Sequence, residues 1–158
     1  MIEPRTFAIR VYSAAGIAEA CLELQDNAGV DVPLLLFCGW YAVYGGTMPH
    51  DVFLSVRQSA QELSEQVIRP LRSARRWMKN RRDDEAWNGL RDSIKQAELN
   101  AELLLLDQLQ QQFTPEKIVE NDISVQRVLN SLKLCLPENQ SERHLQLLQQ
   151  VAEACTQA

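Results

Sequence analysis

From Pro33 to Gly46 the chain reads Pro-Leu-Leu-Leu-Phe-Cys-Gly-Trp-Tyr-Ala-Val-Tyr-Gly-Gly, without a single charged side chain. Coiled as a helix, this stretch is apolar on every side, and such a helix belongs at the buried centre of a fold. Its ends are chemically marked. Asp31 can accept hydrogen bonds from free N–H groups of the first turn, Pro33 sits where a missing N–H costs nothing, and Gly45-Gly46 stops the coil. The run of about 12 apolar residues falls short of the roughly 20 that a membrane span needs. A buried helix over about 33–45, in a soluble protein, is the expectation.

The segments on either side read as helices that enclose it. Phe7, Val11, Ala14 and Ala15 form a helical stripe with Thr6 as cap, although Phe7, Ile9 and Val11 also alternate as a strand would. Ile17, Cys21, Leu24 and Ala28 recur at helical spacing between Gly16 and Gly29. Phe53, Val56, Ala60, Leu63, Val67, Leu71, Ala74 and Met78 keep a three-and-four spacing straight through Pro70. One long helix over about 49–80, kinked before Pro70, is predicted, with two helices meeting there as the alternative.

Beyond Arg81-Arg82-Asp83-Asp84, where Asp83 or Asp84 can cap, Trp87, Leu90, Ile94, Ala97, Ala101 and Leu104 make a stripe. A second stripe, through Leu99, Leu103, Leu106 and Phe113, points to burial on two sides; one chain or a homodimer could satisfy it. Thr114-Pro115 reads as a stop, and helix returns between Ile118 and Leu136, restarting at Asp122 or Ser124. Ser141 caps a last helix bearing Leu145, Leu148, Val151 and Cys155. With only six Gly and six Pro in 158 residues, the chain is expected to form one all-α domain over 1–158, a bundle of six to seven helices.

Charge is distributed unevenly. The chain has 16 Lys and Arg against 21 Asp and Glu, yet Arg69, Arg72, Arg75, Arg76, Lys79, Arg81 and Arg82 fall together with no acid among them. At about 100° per residue, Arg69, Arg72, Arg75, Arg76, Lys79 and Arg82 share one side of a helix, opposite Val67, Leu71, Ala74 and Met78, with Trp77 at the edge. Such a rail suits an anionic partner, and an acidic protein surface fits better than nucleic acid because the net charge of −5 opposes long-range attraction to phosphate. The plain alternative is a solvated face neutralised by the chain's own Asp83, Asp84, Glu98 and Glu102.

Catalytic signatures are lacking. No phosphate-cradling glycine loop and no nucleophile elbow occurs. Cys21, Cys38, Cys135 and Cys155 make no Cys-x-x-Cys pair, and the N-terminus has no secretory pattern, so reduced, mostly buried thiols in a cytoplasmic protein are expected. Cys38 lies in the most apolar stretch, where burial raises a thiol pKa and silences it. His50 and His144 lie far apart in the sequence. No metal site and no cofactor are expected, and an enzyme is not the favoured reading. Trp40, Tyr41 and Tyr44 could line a small apolar pocket, although aromatics at this spacing are more often core.

The runs Val11-Tyr12, Gly16-Ile17, Cys21-Leu22-Glu23-Leu24-Gln25-Asp26, Gly29-Val30-Asp31-Val32-Pro33-Leu34-Leu35-Leu36-Phe37 and Pro70-Leu71-Arg72 together resemble a family of short proteobacterial proteins known only as a domain of unknown function. The resemblance covers about residues 5–110. It departs from the family pattern at Pro33, where Asn is expected, and at Thr6, near an expected Trp. It implies a small bacterial helical protein of the cytosol and carries over no activity and no functional residue. The favoured reading is a non-enzymatic interaction module using the basic helix at 69–82. A nucleic-acid accessory protein using the same helix comes second, and a binder or enzyme for a small apolar ligand near Trp40 third.

Overall fold

The structure, a computed structural model, describes residues 1–79, 81, 84–115 and 123–158. In chain order the helices are α1 (Pro4–Ser13), α2 (Ile17–Ala28), α3 (Val32–Gly45), α4 (His50–Leu63), a π-helical turn (Ser64–Ile68), α5 (Arg69–Met78), α6 (Glu85–Gln112), α7 (Val125–Leu132), a 3-10 turn (Lys133–Cys135) and α8 (Glu142–Gln157). No strand occurs among the described residues. The molecule is an all-α bundle.

Its centre is α3. Every residue from Val32 to Trp40 is buried, and α1, α6, α7 and α8 pack around it. Asp31 Oδ1 accepts the Leu34 N–H at 3.1 Å, Pro33 stands in the first turn, and Gly46 ends the helix at φ 90°. Fully buried Leu35, Phe37 and Trp40 each contribute on the order of 2–3 kcal/mol. At Gly39 α8 lies close: a Cβ there would be 2.8 Å from Cys155 Sγ.

Around α3, short-range chemistry sets most helix ends. α1 starts earlier than Thr6, because Glu3 is the N-cap and Pro4 fills the first turn. Phe7 and Val11 are buried while Ile9 is 52% exposed, so the alternation seen in the sequence belongs to a helix. Asp84 caps α6 by accepting the Trp87 N–H, Ser124 caps α7, and Ser141 forms a capping box with His144 at the start of α8. The part of the 118–136 expectation that falls on 118–122 lies outside the described residues. On α6 the core face is Ala101, Leu105, Leu106 and Leu109, whereas Leu99 and Leu104 remain exposed. The two sequence stripes therefore merge into one narrower face.

The rod from His50 to Met78 is one continuous helical run with a π turn just before Pro70, where a kink is expected from the sequence. Proline has no N–H for the carbonyl four residues back, and its ring crowds that carbonyl. The turn widens instead: the Arg69 N–H donates to Ser64 O, five residues back. This widened turn shifts the helix phase. The inward positions run Phe53, Val56, Ala60, Ser64, Ile68 and then Arg72, Arg75 and Met78, while Val67 and Ala74, assigned by spacing to the apolar face, point towards solvent. An uninterrupted 3.6-residue count overlooks one residue.

Candidate interaction site on a basic helical arm

α5 contributes nothing to the shared hydrophobic core, and α6 enters it only from Ala101 onward. Together α5 and the first half of α6 form a two-helix arm. Ion pairs hold the arm together. Glu98, buried on α6, accepts from Arg72 Nε at 2.9 Å and from Arg75 Nε at 2.5 Å, and Arg72 Nη2 donates to Glu102 at 2.6 Å. Arg72 and Arg75 are only 13% and 21% exposed. Burial favours protonation of Glu98, but the hydrogen bonds from Arg75 and Arg72 outweigh it and hold its carboxyl below the ordinary value. For Glu102 the balance reverses. Burial, aided by the charges of Glu98 and Asp31, pushes its carboxyl up despite Arg72.

The same polar cluster reaches the base of α3. Asp31 Oδ2 accepts from the buried Ser64 hydroxyl at 2.5 Å, tying the N-cap of the central helix to the π turn. Tyr12 of α1 adjoins it: burial, Cys21 and Glu102 raise its phenol pKa, against Arg72 and Arg75. Tyr12, Asp31 and Arg72, three polar residues of the family-like pattern, thus all lie within electrostatic reach of Glu102. Ser64 escapes sequence reasoning because a lone serine in a long helix gives no signal.

The six residues of the predicted rail divide. Arg72 and Arg75 turn inward to Glu98 and Glu102, two of the acids named as internal neutralisers. Arg76 pairs with Asp26 at the end of α2. Arg69 stays 59% exposed with Glu65 at 4.0 Å, Lys79 is exposed, and Arg82 lies outside the described residues. At the tip, Trp77 is 57% exposed, its ring centroid 6.1 Å from that of Trp87, with the Arg81 guanidinium 4.7 Å from its centroid. Leu90, one turn beyond Trp87, is 55% exposed. The exposed side chains of the arm therefore combine cations with large apolar groups.

Trp40, Tyr41 and Tyr44 have a different setting. Trp40 is fully buried, its indole N–H donates to Ile2 O at 2.8 Å, and its ring packs between Phe37 and Tyr44 at 5.4 and 6.1 Å. Tyr41 and Tyr44 are half-buried against the same core. Among the described residues no group of three or more His, Cys, Asp or Glu side chains is arranged to hold a metal ion, and no helix is long and apolar enough to cross a membrane. Burial pushes the Cys21 and Cys155 thiols up to about 12.

Fold and surface define a small all-α bundle bearing a basic, tryptophan-tipped helical arm. The chain belongs to the family described as protein of unknown function DUF2390, whose family model matches residues 6–109 and so takes in the central helix and most of the arm. No curated protein and no solved structure matches the chain.

Proposed function

We propose that the chain is a non-enzymatic helical interaction module, one domain over 1–158, whose α5–α6 arm docks on an acidic protein surface. The observation that carries this reading is the exposed Trp77 under the Arg81 guanidinium, with Leu90 and the cations Arg69 and Lys79 also exposed on the arm. A large aromatic with a neighbouring Arg is the typical anchor of a protein interface, and surrounding charges steer an oppositely charged partner. Arg72 and Arg75 act indirectly, by fixing α5 to Glu98 of α6. The four unbridged cysteines suit a reducing cytoplasm.

A photo-crosslinking amino acid placed at Leu90, with one at exposed Leu54 of α4 as control, tests the reading in bacterial cells. Adducts from Leu90 but not from Leu54 are expected, mapping to acidic peptides. They should persist after nuclease and disappear when Arg69, Lys79 and Arg81 are changed to Ser. Equal adducts from both positions would remove the arm from consideration. Loss on nuclease treatment, with affinity falling steeply in salt, would transfer the same arm to nucleic acid.

A further inference from the structure

Two sulfur atoms from other segments lie against the thiol of Cys38 on α3. Cys38 Sγ lies 3.7 Å from Cys135 Sγ and 3.8 Å from Met48 Sδ. They come from three segments: the middle of the central helix, the connection that leaves it, and the 3-10 turn after α7. Cys38 and Met48 are buried, and Cys135 is partly open to solvent. The arrangement is fastened from outside. The Met48 N–H donates to the fully buried Ser131 Oγ at 3.0 Å, fixing the thioether to α7, the helix that leads into Cys135.

The geometry points to a binding site for one soft monovalent cation, copper(I), held by Cys38 and Cys135 as thiolates and by the Met48 thioether. With metal–sulfur bonds of about 2.3 Å, neighbouring sulfurs lie about 3.8 Å apart around a tetrahedral ion and about 4.0 Å around a trigonal one. The two observed separations need only small adjustment. Thiolate and thioether donors select copper(I), whereas a structural zinc site draws on thiolate, imidazole or carboxylate. Binding exchanges the two thiol protons for the ion: one copper(I) enters, two protons leave, and no electron moves. Two thiolates side by side in a buried setting need a positive neighbour, and the bound ion supplies it. Cys135 provides the way in, since an incoming ion can exchange onto its sulfur before passing to the buried pair.

The test is an anaerobic titration of the reduced full-length protein with copper(I) against a coloured copper(I) chelator, with X-ray absorption on the loaded protein. The expected result is one equivalent withdrawn from the chelator, with an all-sulfur first shell. Cys38→Ala and Cys135→Ser should each weaken retention by about a hundredfold, and the near-isosteric Met48→Leu by about tenfold. Cys21→Ala should leave it unchanged. Circular dichroism verifies folding, and Met48→Leu keeps the test decisive if Cys38→Ala fails to fold. Retention unaffected by Met48→Leu would overturn the site, as would failure to compete with the chelator. A protein 2 Da lighter and free of metal would show that the thiols had formed a disulfide instead, which also overturns it.

Discussion

Glu98 is enclosed by two guanidinium groups, so its protonation controls how both are held. Its pKa is lowered in the folded chain, which therefore binds that proton less readily than the unfolded chain does. The stabilisation is complete above the ordinary carboxylate range and is lost as pH falls through the lowered value. Glu102, with its pKa raised, has the opposite sign: its ionisation costs stability as pH rises through the raised value. In urea unfolding at neutral pH, Glu98→Gln should cost about 3 kcal/mol, because it leaves two partly buried cations short of a counter-charge. The deficit should shrink in acid. Glu102→Gln keeps an acceptor for Arg72 and removes an ionisation that burial disfavours, so about 1 kcal/mol or less is expected. Equal costs for the two variants would mean that Glu98 is not the keystone of the pair.

Among the elements, the α3–α8 crossing has little spare room. Gly39→Ala should destabilise by about 1–3 kcal/mol, since the new methyl meets Cys155 Sγ. Combining it with Cys155→Ala, which removes that sulfur, should recover most of the loss; additive losses in thermal unfolding would show that another neighbour causes the strain. The central helix is fully legible in the sequence because its signals are local: a cap, a proline and two glycines within one short stretch. The facing of α5 is not. Periodicity counts residues and cannot register a turn that takes up one more than usual, so it puts Arg72 and Arg75 on the outer rail with Arg69 and Lys79. Their acidic partners on α6 can be named as neutralisers, but the buried geometry depends on how the hairpin closes.

For the whole molecule, charge and exposed apolar surface coincide on the arm while the remainder of the chain is acidic. Changing Trp77 and Arg81 together to Ala should cost about 1–2 kcal/mol in unfolding, the worth of the Trp77–Trp87 and Arg81–Trp77 contacts, and leave the fold intact. The same variant should lose the Leu90 adducts. Retained adducts would place the binding energy elsewhere. Long-range chemistry is the least legible part: Cys38 and Cys135 stand 97 positions apart, and their meeting depends on α7 packing against α3. No spacing rule contains that distance.

The π turn at Ser64–Ile68 also gives the rod a single residue of slack. A helix that absorbs one surplus residue in a wide turn can give it back without rotating the segment beyond the turn. Deleting the exposed Gln66, together with Pro70→Ala to relieve the ring, should close the turn to ordinary pitch and leave Arg72 and Arg75 still facing Glu98. Deleting Arg57 within α4 offers no such reserve and swings one side of the rod by about 100° relative to the other. Length variation within this helix is thus tolerated at one place, where the basic arm begins.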